Sequence, residues 1–250
     1  MRIALNAIGE VGVRTGRILT AERDLVALGL YGDSTSIGQD RRTIAISSLD
    51  GFDLLVTDDL EGGSAVAALA ADDGISCAIP GDANSDVIDR FERSGSSVLI
   101  THCSLEGLAE TLAAHESARA DDPAETVIAW TEEGKPLRKG EAVAFPEPVG
   151  ARWGKRRRSA GTTTRIAVPV DGEWAGATAT VVGRTDTGQE TRIVGVADEI
   201  RHLEALALAA GAVAAVRTDL TGVITPKDVA EEYLAAALRM GLGVAAYTMD

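Results

Sequence analysis

This chain has few of the residues that staple, coordinate metals or cross membranes. Its two cysteines, Cys77 and Cys103, lie far apart without CxxC spacing. Each follows or ends an apolar, strand-like run, where a free thiol behaves as a small core residue, so a disulfide framework is not expected. The three histidines, His102, His115 and His202, are scattered, and neither an HExxH motif nor a Cys/His cluster occurs. No metal site is expected. No apolar run is long enough to span a bilayer, and the first residues carry no signal-peptide core. The expected location is cytoplasmic, without membrane contact. Cations are in deficit, with 24 Lys and Arg against 38 Asp and Glu for a net charge of −14. Nucleic acid is therefore not an expected partner, because its phosphates would be repelled. Aromatics make up only 4% of the chain, yet Trp130, Trp153 and Trp174 all fall in its middle. That concentration suits a hydrophobic substrate wall or a dimer face, with an ordinary core role as the competing reading.

The chain does have a patterned opening, MRIALNAIGEVGVRTGRIL. A short apolar run (Ile3, Ala4, Leu5) meets a turn punctuated by Gly9 and Gly12, and an amphipathic helical pattern follows. Strand, glycine turn and helix in this order can hold a dinucleotide's pyrophosphate: the glycines admit the phosphates and the helix start offers free N–H groups. The fingerprint reads Ala7-x-Gly9-x-x-Gly12, with alanine where the first glycine is usual. Ala7, Gly9, Glu10, Val11 and Gly12 are the expected pyrophosphate contacts. The competing reading is a glycine turn that serves packing alone.

A second strand, Leu25 to Tyr31, ends at Gly32-Asp33. An acidic side chain about 20 residues past the glycine turn bonds the adenosine ribose in such folds, and Asp33 stands close to that place with Ser34 beside it. Arg41 and Arg42 are instead suited to a 2′-phosphate, so both NAD and NADP remain open. Phe52 to Thr57 reads as a third strand, with Thr57 at its carboxyl end as a further cofactor contact. Strands at 75–80 and 98–103 alternate with helices opening at Gly62-Gly63-Ser64 and spanning 85–94. That alternation predicts a parallel sheet with crossover helices, and a helix follows from Ser104 to His115. The pattern then changes to period-two runs at 125–131, 165–170, 177–184 and 190–196, with a short strand at 142–145 and a hairpin turn at Asp186-Thr187-Gly188. Long helical stretches at 199–216 and 225–240 close the chain. The expected architecture is α/β: a Rossmann-type parallel-sheet domain over 1–123 and 197–250, and an inserted, mainly antiparallel β domain over 124–196. We expect the inserted sheet to make a homodimer contact.

In layout the chain resembles reductases related to saccharopine dehydrogenase and dihydrodipicolinate reductase. The likeness is clearest at AIGEVG (residues 7–12), VADEIRHLEALALAAGAVAA (196–215) and GVITPKDVAEEYLAAALRMGLGV (222–244). The resemblance implies NAD or NADP as cofactor and hydride transfer on a small amino or oxo acid. The His-His-containing motif of dihydrodipicolinate reductase is absent here, which also leaves open a non-catalytic nucleotide-binding or assembly protein that keeps the fold.

Catalytic candidates come from position. His102 follows a parallel strand at its carboxyl end, where ligands of open α/β sheets bind, and histidine titrates near neutrality. A hydrogen-bonded packing histidine is the competing reading. The basic island Lys155-Arg156-Arg157-Arg158 supplies Lys155 as a second catalytic candidate and Arg156 for a substrate carboxylate, since arginine's planar fork binds two oxygens at once. Trp153 is the candidate substrate wall beside them. A solvated loop is the alternative for the whole island.

Overall fold

The computed structural model describes residues 1–32, 37, 40–101, 105–133, 163–168, 173–186 and 188–249. They fall into two compact units, Met1–Cys103 with Glu204–Met240, and Ser104–Leu203 with Gly241–Asp250.

The first unit is built on β1 (Arg2–Asn6), β2 (Ala27–Tyr31), β3 (Thr43–Ile46), β4 (Leu54–Thr57), β5 (Ser76–Ile79), β6 (Ser97–Ile100) and β11 (Gly222–Ile224). They form one parallel sheet in the order β11-β6-β5-β4-β1-β2-β3. Its central strands are continuous apolar runs (Ile3-Ala4-Leu5, Leu54-Leu55-Val56, Val98-Leu99), all fully buried. Strands covered on both faces need that composition. The order reverses at β1, whose neighbours are β2 and β4, and open α/β sheets bind ligands at such a switch point.

The first unit's helices are α1 (Glu10–Ala21), α2 (Gly63–Asp72), α3 (Ser85–Ser94) and α6 (Ala230–Arg239, entered through a 3₁₀ turn at Pro226–Val229). Most of α5 (Ile200–Arg217) belongs here too. Helix α3 has its ends written locally: the Asn84 side chain accepts from the Val87 N–H, and Gly95 closes the helix in the left-handed region at φ 73°. Both are strong end signals. The expected Thr225-Pro226 start is also present, as a capping box in which the Asp228 carboxylate accepts from the Thr225 N–H at 2.8 Å.

The second unit holds α4 (Leu105–Arg119), β7 (Pro123–Glu133), β8 (Thr163–Val168), β9 (Trp174–Thr185), β10 (Gly188–Glu199) and β12 (Val244–Met249). The sheet order is β12-β10-β9-β7-β8, antiparallel throughout except between β7 and β8. Helix α4 lies against β7, β9 and β10. On β9 the alternating Ala175, Ala177, Ala179 and Val181 are fully buried, a period-two row of small side chains. The hairpin expected at 186–188 joins β9 to β10, with Thr185 paired to Gly188.

The fold class is as expected, a Rossmann-type parallel sheet with a mainly antiparallel second sheet. Several elements differ from the sequence reading. α4 and β12 belong to the second unit, although they fall outside 124–196, because β12 adds to the edge of β10 through residues 244–249. The edge strand β3 has no counterpart among the expected strands, being four residues long with Ile44 and Ala45 exposed. β11, which has no counterpart among the expected strands, continues the parallel sheet beyond β6, with Gly222 donating to the Ser96 carbonyl. The strand expected at 142–145 lies outside the described residues. No helix among the described residues is long and apolar enough to cross a membrane.

Cys77 sits fully buried on β5, and burial pushes its thiol well above the ordinary range. Reactive thiols are exposed thiolates. Native protein treated with iodoacetamide is expected to leave Cys77 unlabelled, with full labelling after denaturation, as read by peptide mass spectrometry. Rapid native labelling of Cys77 would contradict its place in the core.

Candidate functional site

The switch point is assembled by strand register. Asn6 pairs with Thr57 at the carboxyl ends of β1 and β4, so the chain leaves both strands side by side. Asn6 ties three strands together there: its amide donates to the Tyr31 carbonyl at 3.3 Å, and its carbonyl accepts from the Thr57 hydroxyl at 3.1 Å. Thr57 is fully buried, and its hydroxyl also accepts from the Asp59 N–H. With its hydroxyl engaged on both sides, Thr57 fixes the crevice floor.

Above that floor the β1–α1 turn places Ala7 in the core and Gly9 at the N-cap of α1. The N–H groups of Ile8, Gly9 and Gly12 converge on one carboxylate, that of Asp58. Ile8 donates to Oδ1 at 2.8 Å, while Gly9 and Gly12 donate to Oδ2 at 2.9 and 2.8 Å. The start of a helix favours an anion through these N–H groups and the helix dipole. Here the protein supplies that anion itself.

Space requires glycine at position 12 and is tight at position 9. A Cβ on Gly12 would lie 2.6 Å from Asp58 Oδ1 and 2.8 Å from the Ala7 Cα, and one on Gly9 would lie 3.1 Å from Asp58 Oδ2. Gly16, one turn further along α1, lets the helix close onto Leu5 and Ile37. Of the other expected contacts, Glu10 is exposed and forms an i,i+4 pair with Arg14 at 2.7 Å, and Val11 is half-buried. An open groove of about 600 Å³ runs along this side, lined by Ile8, Gly9, Glu10, Val13, Arg14 and Arg17.

The neighbouring Asp59 behaves differently, since its Oδ1 accepts from the Glu61 and Gly62 N–H groups within its own turn before α2. From sequence, both carboxylates simply follow a strand, a place that suits ribose hydroxyls or an ammonium substrate as well as a solvated loop. Position after a buried strand was the available signal for Asp58, but its partners stand 46 to 50 residues away.

The expected pair Arg41 and Arg42 stands at the opposite edge of the sheet. They precede β3, whose Thr43 pairs with Leu28 near the start of β2, whereas the glycine turn follows the end of β1. Arg42 donates to the carbonyls of Thr20 and Glu22 at the end of α1 and to Asp40. Its hydrogen bond holds the Asp40 carboxyl below the usual range. A cation suits that helix end, and neither arginine lies beside the turn.

His115 and His202 lie on α4 and α5 as expected, near Arg119 and Asp198 respectively. Trp130 and Trp174 are half-buried on β7 and β9. Asp33, Ser34, His102, Trp153, Lys155 and Arg156 lie outside the described residues.

No protein-family model and no curated protein matches the chain. Its fold is that of two-domain dehydrogenases. An engineered D-amino acid dehydrogenase superposes with a TM-score of 0.54 at 14% identity, over 94% of this chain and 96% of that one. A second structure of that enzyme, bound to NADP+, gives 0.50 at 15% identity, over 92% and 93%. A meso-DAP dehydrogenase variant from Clostridium tetani E88, solved with DAP, gives 0.52 at 14% identity, over 93% and 95%. The likeness expected to Rossmann-type reductases is present in the fold.

Proposed function

We propose that this chain is an NAD(P)-dependent oxidoreductase acting on a small amino or oxo acid. The observation that carries the reading is the convergence of three backbone N–H groups, from Ile8, Gly9 and Gly12, at the carboxyl end of β1 beside the switch point. A diphosphate fits that donor set and the space left by two absent Cβ atoms, provided the Asp58 side chain turns away. The bound cofactor would supply hydride chemistry, and the protein would supply orientation, charge and a proton. Gly9, Glu10, Val11 and Gly12 would face the diphosphate, with Asp33 and Ser34 at the adenosine ribose. His102 would move the proton, with Lys155 as the alternative acid–base group. Arg156 would hold a substrate carboxylate beside Trp153. The working assembly is a homodimer.

A second reading, a nucleotide-binding or assembly protein without catalysis, is favoured by one observation: the Asp58 carboxylate already takes the cradle's N–H groups. Calorimetric titration with NADH, NADPH and ADP, followed by assay on amino- and oxo-acid panels, separates the two. Binding with turnover is expected, and His102→Asn should lower turnover while leaving cofactor affinity nearly unchanged. Binding without turnover would favour the second reading, and absence of binding to all three would remove the first.

A further inference from the structure

We propose that Asp58 is an internal competitor for the diphosphate, so that affinity at the β1–α1 turn is set by displacement of this carboxylate. The inference rests on the reading of that turn given above. Asp58 gathers the N–H groups of Ile8, Gly9 and Gly12 on its two oxygens at 2.8 to 2.9 Å. Those are the donors a diphosphate oxygen would need. Two anions a few ångströms apart repel, and each donor carries one hydrogen, so carboxylate and diphosphate exclude one another.

The geometry also distinguishes Asp58 from an ordinary helix cap. Ordinary caps come from the residue preceding the helix, as Asn84 does for α3. The N-cap of α1 is Gly9, with no side chain to offer, and the anion arrives from the loop after a different strand. That loop is half-buried, and Leu60, two residues on, is 71% exposed. The Asp58 side chain thus has solvent within reach when it leaves the cradle. If the cradle is open in only a fraction of molecules, apparent affinity falls by that fraction, and removing the competitor restores it.

The test is calorimetric titration of NADH, ADP and inorganic pyrophosphate into the full chain, its Asp58→Ala variant and its Asp58→Asn variant. Asp58→Ala is expected to bind ADP and pyrophosphate at least tenfold more tightly than the unsubstituted protein, and Asp58→Asn, uncharged but still an acceptor, to fall between them. Adding Gly12→Val to Asp58→Ala should abolish the gain, which locates it at this turn. Thermal unfolding verifies that each variant is folded, and Asp58→Asn serves alone if the alanine variant is not. Equal affinities with and without Asp58 would overturn the inference while leaving the dinucleotide reading intact. Weaker binding by a folded Asp58→Ala would also overturn it, making Asp58 a support of the turn. A gain that survives Gly12→Val would place the ligand elsewhere and overturn it. No binding by any variant would bring down the dinucleotide reading and the inference together.

Discussion

Gly12→Val is expected to remove NAD(P)H binding and to destabilise the first unit. The smallest possible side chain at this position already places a Cβ 2.7 Å from the Asp58 Cγ and 2.8 Å from the Ala7 Cα. Asp58 could rotate away, but the Ala7 contact is with buried backbone just after β1, so α1 itself must move outward. Overpacking of this kind costs about 1–3 kcal/mol. Displacing the helix start by even 1 Å lengthens the N–H contacts on which anion binding depends. Titration of the folded variant with NADH should therefore show at least a hundredfold loss, with a lowered melting temperature beside it. Unchanged affinity would place the dinucleotide away from this turn.

Phe91→Ala is expected to cost about 3–5 kcal/mol, in the range of a large aromatic removed from a close-packed core. Helix α3 makes the effect specific. Its buried residues are Val87 and Phe91, one turn apart, while the rest of its surface is largely polar. Phe91 is fully buried among Ala67, Ala71, Cys77, Val98 and neighbouring core residues. Without it α3 keeps one buried anchor. The cost is a large fraction of the roughly 5–15 kcal/mol that holds a domain folded. A fall of about 10 °C in melting temperature is the corresponding readout. A change below about 1 kcal/mol would mean that α3 contributes little to the unit's stability.

The two substitutions probe parts of the protein that differ in how far they could be read from sequence. The bounds of α3, residues 85–94, were legible in the sequence, and its cap, buried pair and closing glycine are all local to that stretch. The glycine turn after β1 was legible for the same reason, since strand, turn and helix follow one another within twenty residues. The role of Asp58 was not. It depends on β1 lying beside β4, and the Asn6–Thr57 bond that records this adjacency joins residues 51 apart. The surroundings of Arg41 and Arg42 were equally hidden from the sequence. Their charge suggested a phosphate clamp, but strand direction puts them at the other edge of the sheet, where the end of α1 takes Arg42.

By itself the sequence determined the alternation of buried strands and crossover helices, the change to period-two strands beyond residue 123, and the place of the glycine turn. These follow from short-range preferences, in which backbone sterics, capping and apolar spacing act over a few residues. Tertiary structure alone decided that β12 joins the antiparallel sheet, that α4 lies on it, and that β11 extends the parallel one. It alone put the Asp58 carboxylate into the helix start that a dinucleotide would need. Strand partners and register are set by which distant surfaces can be buried together with every backbone N–H paired, and no local window of the chain contains that information.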